Sequence, residues 1–341
     1  MGSHHIAVVG CGWIGEDHIK LYRDLQGDDL TLSYVDCKKE RADAMLEKYG
    51  GRNAWSSLAE ALQDKGIGIV DICLPHALHL HALRESVAAN KAIIMEKPLV
   101  RNMAEAAEAR RILEGYDRPF MIAECWRFWP LVDEVKEMLD DNKFGTPFFI
   151  RGQSTNDWDP PGWRRDAEIM GGGSLLDRGI HFAAVLRYWG GPIETVYAHT
   201  HDIGAPDMTG EDTASVMVKF ANGATGELFI SWSTANPGPW TEWSVFGSAG
   251  SFYEHPGAGA VFSRRARDKE EPVPLQTVRI PDSEMIQHTL AHFLDCMDND
   301  AAPSYTLDDA IEDLALVEAA YVSAATGEVV RFEEIVARSR P

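Results

Sequence analysis

The sequence predicts an α/β protein of two parts: a doubly wound parallel sheet with helices on both faces, then an α+β region on an open, mostly antiparallel sheet. Three observations carry this reading. From Ile6 to about Ala123, short β-branched runs alternate with stretches of helical period, and several runs are apolar throughout, as strands covered on both faces are. After about Glu124 the runs alternate in character and are joined by turn signals such as Asn222-Gly223. The length, 341 residues, is about twice that of a typical domain. The boundary is placed to give domains of 1–124 and 125–341.

In chain order, the strands expected in the first part are Ile6–Val9, Leu30–Val35, Ile69–Cys73, Ala92–Met95 and Phe120–Ala123, with helical stretches including Ser57–Gln63 and Met103–Leu113. The second part opens with an amphipathic helix, Leu131–Leu139. Gly145-Thr146-Pro147 then leads into strands at Phe148–Ser154, Glu194–Thr200, Thr213–Phe220, Thr225–Trp232 and Trp243–Phe246, with one helix inserted near 175–189. The charged run Arg264–Glu271 reads as a solvated hairpin or loop. Near the end, Ile311, Leu314, Val317, Tyr321 and Ala325 recur at helical spacing. Thr306 with Asp309 forms a capping-box pattern before them, and Gly327 suits a left-handed stop.

Composition excludes several functions. Lys and Arg number 32 against 53 Asp and Glu, a net charge of −21 that repels nucleic acid and anionic lipid. A small-molecule partner is expected instead. No apolar run approaches the ~18 residues of a membrane span, and the N-terminus lacks a secretory pattern. Five scattered cysteines without a C-x-x-C pair fit reduced thiols, so a cytoplasmic location is expected.

The motif Gly10-Cys11-Gly12-Trp13-Ile14-Gly15 follows an apolar strand and opens a helix, the context in which such a loop cradles a dinucleotide. Gly10 serves the tight turn, Gly12 the approach of the pyrophosphate, and Gly15 the packing of helix on strand, while helix amides face the phosphates. Asp36 ends the second strand where a carboxylate accepts hydrogen bonds from ribose hydroxyls, which favours NAD. Lys38 and Lys39 follow it and could neutralise a 2′-phosphate, which keeps NADP as the alternative. Glu16 and Asp17 either point outward or weaken phosphate binding.

Two further blocks, Asp71-Ile72-Cys73-Leu74-Pro75-His76-Ala77-Leu78-His79 and Met95-Glu96-Lys97-Pro98-Leu99, complete a pattern that resembles the glucose-fructose oxidoreductase / inositol dehydrogenase family. Trp126-Arg127-Phe128-Trp129-Pro130 and the run from Gly171 to His181 extend the resemblance into the second half. It implies a Rossmann domain, a second domain whose open sheet makes oligomer contacts (a homodimer or homotetramer), and a nicotinamide cofactor. It also implies a sugar or cyclic polyol substrate. Pro75, His76, His79, Glu96 and Lys97 join the cofactor set, and a cis bond before Pro98 is frequent in the family. His76 departs from the family's usual Asn, and Ala184 from an acidic residue that often follows the motif histidine.

Oxidising a secondary alcohol needs a base for the hydroxyl proton and a cation for the developing charge on oxygen. Lys97 lies just past a strand's C-terminal end, where doubly wound sheets expose ligands. Asp177 and His181 lie four residues apart, on one face of a helix, with the Gly171–Gly173 turn giving sharp entry and room for a ligand. The resemblance makes His181 the acid–base, with Asp177 orienting it or binding a substrate hydroxyl. Arg127, Trp158, Trp163 and Arg164 join Lys97, Asp177 and His181 as substrate-binding candidates, since aromatic faces suit sugar C–H faces and polar groups read hydroxyls. No metal is expected. His288 and His292 have helical pair spacing but no accompanying carboxylate motif.

The expected function is an NAD(P)-dependent oxidoreductase acting on a ring secondary alcohol of a sugar, glycoside or cyclitol. The alternatives are a redox-assisted glycosidase or lyase with tightly held NAD, and a non-catalytic dinucleotide-binding sensor.

Overall fold

The computed structural model describes residues 4–26, 30–205, 207–235, 242–255, 259–264, 273–275 and 279–340. Its contacts divide the chain into two compact units: residues 1–125 with 281–310 and 339–341, and residues 126–280 with 311–338.

The first unit is built on six parallel strands: β1 (His5–Val9), β2 (Thr31–Val35), β3 (Ala54–Trp55), β4 (Ile69–Ile72), β5 (Ala92–Glu96) and β6 (Phe120–Ala123). Their order is β3-β2-β1-β4-β5-β6, so the direction of winding reverses between β1 and β4. Ligands of doubly wound sheets sit at the C-terminal strand ends beside that reversal. The inner strands are apolar throughout because α1 (Trp13–Gln26), α2 (Lys39–Tyr49), α3 (Leu58–Ala61), α4 (His79–Ala88) and α5 (Met103–Ile112) connect them and leave them buried. Local signals set the helix starts: Ser57 caps α3 and Asn102 caps α5 by accepting from backbone amides three residues on.

The second unit holds α6 (Pro130–Asp140), then β7 (Pro147–Thr155), α7 (Ala167–Met170), α8 (Ser174–Asp177), α9 (Gly179–Gly190), β8 (Ile193–His201), β9 (Thr213–Phe220) and β10 (Thr225–Ser231). β11 (Trp243–Gly247), β12 (Gly250–His255), β13 (Gly259–Arg264) and β14 (Val273–Pro274) follow. With β15 (Val330–Arg331) at one edge, the nine-stranded sheet runs β14-β13-β12-β11-β7-β10-β9-β8-β15. Among the described residues, the central β7–β10 pair is parallel and the other pairs are antiparallel.

Three features differ from the sequence reading. After β14 the chain returns to the first unit, where α10 (Asp282–Asn299) packs on α1 and β6, so one boundary at 124/125 does not describe the division. The cause is the apolar face of α10, in which Met285, Leu290 and Phe293 are fully buried. The expected single helix near 175–189 is two, α8 and α9, separated at Arg178. β15 (Val330–Arg331) adds an edge strand that two residues of sequence do not announce; it precedes α12 (Phe332–Val336). The terminal helix α11 (Leu307–Thr326) does begin at the reciprocal Thr306–Asp309 box, and Gly327 takes the left-handed conformation after it. Residues 265–271 of the charged run lie outside the described residues.

Candidate active site

Each glycine of the loop between β1 and α1 meets a different neighbour. Gly10 has a φ of 100°, and a Cβ there would lie 2.2 Å from the Cys73 carbonyl oxygen. A Cβ on Gly15 would lie 1.9 Å from the Gly10 carbonyl oxygen, so only glycine lets α1 start so close to β1. At Gly12 a Cβ would meet nothing within 4 Å. The ground in front of Gly12 is therefore not filled by the chain, which is what a pyrophosphate lying against loop amides requires. Trp13 beside it is 73% exposed, and Ile14 is half-buried.

The neighbouring carboxylates are committed elsewhere. Glu16 Oε1 accepts from Lys48 Nζ at 2.8 Å and from the Tyr49 hydroxyl at 2.7 Å, while Asp17 pairs with Lys20 at 2.9 Å. Asp36 is held at the end of β2 by two amides: Cys11 N–H donates to Oδ2 at 3.0 Å and Lys38 N–H to Oδ1 at 2.9 Å. Lys39 pairs with Asp43 at 2.6 Å. Burial, aided by Asp36, pushes the Cys11 thiol up to about 12, which removes it as a nucleophile.

At the end of β4, Pro75 leads into a short turn over His76–Leu78. His79, expected in the cofactor set, lies in the protein interior. Its ring is wholly buried, with Nδ1 2.9 Å from the Pro98 carbonyl oxygen and Nε2 2.9 Å from that of Leu74. Burial holds its pKa below the ordinary value against the pull of these carbonyls, and a neutral ring, with a single N–H, donates to one of the two. His76 packs against it at 5.6 Å and is itself buried. Glu96 ends β5; the Lys97–Pro98 bond is cis, and the half-buried Lys97 stands at the head of the strand.

In the second unit, the glycine run before α8 is shaped by protein neighbours. Gly171 ends α7 with φ of 95°. A Cβ on Gly172 would fall 2.2 Å from the Tyr321 hydroxyl, and one on Gly173 1.9 Å from the Glu211 carbonyl oxygen. The space expected for a ligand there is thus occupied by Tyr321 and Glu211, because close packing consumed it. Gly173 N–H donates to the Tyr321 hydroxyl (3.2 Å), which donates to Glu211 Oε1 (3.0 Å); Leu175 N–H donates to the same oxygen (2.8 Å). Loss of water around Glu211 pushes its carboxyl up to about 7 despite these donors.

This braced turn delivers Asp177 and His181, both nearly buried. The His181 ring stacks on Trp126, centroids 5.4 Å apart and planes 19° from parallel. Asp177 Oδ2 accepts from Arg164 Nε at 3.0 Å, which brings two expected substrate residues together. The Arg164 guanidinium lies 4.5 Å over the Trp163 ring. Trp158 meets Trp232 edge-on at 4.6 Å, and Trp158 and Trp163 are partly buried against Met170, Ala205, Met208 and Trp232. Arg127, expected to read substrate, lies over the Tyr188 ring at 3.1 Å. Sequence reasoning missed Trp126 as the platform for His181, although it stands in the quoted Trp-Arg-Phe-Trp-Pro motif. It also missed Glu211 and Tyr321, whose contacts with the turn lie 36 to 148 positions apart in sequence and carry no local signal.

Among the described residues, no helix is long and apolar enough to cross a membrane. Over 98% of its length this chain is 25% identical to a D-apiose dehydrogenase of Paraburkholderia graminis, covering 91% of that protein. It is 28% identical to a myo-inositol 2-dehydrogenase of Thermotoga maritima over 65% of this chain and 67% of that one. A levoglucosan dehydrogenase solved in complex with NADH and levoglucosan superposes with a TM-score of 0.87, at 22% identity, covering 96% of this chain and 99% of that chain. That likeness establishes the fold. Residues 4–124 match the oxidoreductase family with an NAD-binding Rossmann fold, and residues 132–253 match the GFO/IDH/MocA C-terminal domain. With a dinucleotide loop open at Gly12 and matches to both domains, the chain belongs to the GFO/IDH/MocA family of NAD-binding oxidoreductases.

Proposed function

We propose that this protein is an NAD(P)-dependent dehydrogenase that moves a hydride between nicotinamide and a ring secondary alcohol of a sugar, glycoside or cyclitol. The observation that carries the reading is the glycine loop, sealed at Gly10 and Gly15 and open at Gly12, beside an Asp36 held by backbone amides. Gly10, Gly12, Trp13, Ile14, Gly15, Asp36, Pro75, Glu96 and Lys97 would hold the cofactor, with His76 and His79 supporting them from beneath. The fixed Asp36 favours NAD over NADP, because a carboxylate accepts from a ribose hydroxyl and repels a phosphate.

When bound, the nicotinamide supplies the acceptor for the hydride from carbon. The chain's own groups manage the proton and the charge. His181, fixed by Trp126, takes the hydroxyl proton and passes it to solvent, while Asp177 with Arg164 holds a neighbouring hydroxyl. The Lys97 ammonium stabilises the negative charge developing on oxygen. Trp158 and Trp163 offer ring faces to the sugar, and Arg127 supports the site through Tyr188. Relatives named for D-apiose and myo-inositol support a polyhydroxylated substrate. Five unpaired cysteines support a reducing, cytoplasmic location, and the open nine-stranded sheet supports a homodimer or homotetramer, to be measured by light scattering.

The test is a panel of D-apiose, levoglucosan, myo-inositol and common sugars, with NAD and NADP in parallel, following absorbance of reduced nicotinamide. Net formation of reduced cofactor is expected. Lys97→Ala and His181→Ala should each lower turnover by roughly 10²-fold or more while cofactor binding persists. Near-native turnover in both variants would remove the assignment, and product formation without net NADH would point to a redox-assisted lyase.

A further inference from the structure

One buried group beneath the cofactor loop has no part in the chemistry above. His18, one turn into α1, is wholly enclosed, as is Asp71 on β4. His18 Nδ1 hydrogen-bonds Asp71 Oδ2 at 2.9 Å, while Nε2 lies within ion-pair distance, 3.2 Å, of Glu96 Oε1 at the end of β5 without the alignment of a hydrogen bond. Cys73 Sγ lies 3.5 Å from His18 Nδ1 and 3.4 Å from Asp71 Oδ1, and Tyr22 presents its ring edge-on at 6.5 Å. A neutral imidazole carries one N–H and no net charge; only the imidazolium brings a positive charge to face both carboxylates. Two carboxylates enclosed in a sheet without a cation between them would be strongly destabilised.

We propose that His18 is a positioning residue: as an imidazolium clamped between Asp71 and Glu96, it orients the Glu96 carboxylate and keeps it ionised next to Lys97, so that β5 presents a fixed pair of charges to the bound cofactor. The inference rests on the cofactor reading of Glu96 and Lys97. Burial disfavours charge on His18, but the Asp71 carboxylate, hydrogen-bonded to its ring, favours it, and the pKa stands above the ordinary histidine value. The same cluster has the residue types of a metal site. However, burial and Asp71 push the Cys73 thiol up, so the sulfur keeps its proton and donates it to Asp71.

The decisive measurement needs no sugar. In ¹⁵N-histidine-labelled protein, the His18 ring, identified by its loss in His18→Gln, should show both nitrogens protonated at pH 8, and in Glu96→Gln it should begin to titrate within the accessible range. A neutral ring in the native protein, or stoichiometric metal on purification, would overturn the proposal. NADH affinity gives the second readout: His18→Gln should weaken it by about tenfold as the Glu96 carboxylate loses its neighbouring positive charge. His18→Gln/Glu96→Gln should be no weaker than Glu96→Gln alone. Additive losses would overturn it, because a purely structural histidine would not depend on Glu96. If His18→Gln does not fold, Asp71→Asn replaces it, since Asp71 hydrogen-bonds the ring that faces Glu96. Failure to find a sugar substrate would strike the dehydrogenase reading and leave both of these readouts intact.

Discussion

Replacing Glu211 by glutamine tests how the turn before α8 is held. The wild-type carboxyl, deprived of water, titrates at about 7, above its ordinary 4.5. The folded chain therefore binds this proton more tightly than the unfolded chain does. Its contribution to stability is complete below about pH 4.5 and is lost as pH rises through about 7; the shift corresponds to about 3 kcal/mol. Glutamine keeps a carbonyl oxygen to accept from Leu175 N–H and the Tyr321 hydroxyl, and it has no charge to desolvate. Urea unfolding of both proteins from about pH 5 to about pH 8, followed by tryptophan fluorescence, gives the difference curve directly. Relative to wild type, Glu211→Gln should gain on the order of 3 kcal/mol across that window. A flat difference curve would mean that Glu211 titrates normally. A curve of opposite sign would mean that the helix amides stabilise its charge more than burial penalises it.

Other sites give independent tests. Gly15→Ala forces a Cβ to within 1.9 Å of a carbonyl oxygen and should cost about 1–3 kcal/mol of stability in thermal unfolding. Gly12→Ala should leave stability within about 0.5 kcal/mol yet weaken NADH binding by about tenfold, since its Cβ would meet nothing but ligand. Asp36→Ser should reduce the preference for NAD over NADP, read as the ratio of kcat/KM for the two cofactors, with an unchanged ratio counting against its role on the ribose. Asp212 is buried and accepts from the amides of Ile203, Gly204 and Ala205. Burial opposes its charge, but hydrogen bonds led by Gly204 win and bring its pKa down to about 2. Its stabilisation of roughly 2 kcal/mol is present above about pH 4 and lost as pH falls through about 2. Asp212→Ala should remove a similar amount at neutral pH, measured by urea unfolding.

Legibility followed the range of each interaction. The glycine loop and the strand-end places of Asp36 and Lys97 were legible because backbone geometry and position at a strand end are both written in a few adjacent residues. The inner strands were readable for the same reason: a strand covered on both faces must be apolar along its length. For His79, motif position says where the backbone runs, whereas the Leu74 and Pro98 carbonyl oxygens fix where its ring lies. The run Gly171–Gly173 misled. Three glycines signal close approach, and sequence does not say whether the approaching group is a ligand or, as here at Gly172, the hydroxyl of Tyr321.

The sequence alone determined the alternation of strands and helices, the dinucleotide loop, the excess of acid over base, and the order of the family motifs. These depend on period, composition and short spacing. Tertiary structure alone decided that α10 returns to the first unit, that Trp126 lies under His181, that Arg164 answers Asp177, and that His18 sits between two carboxylates. Each of these depends on side chains meeting across turns of chain that local pattern leaves unconstrained. The free energy that selects them comes from burial and charge pairing, which exist only once the chain has closed upon itself.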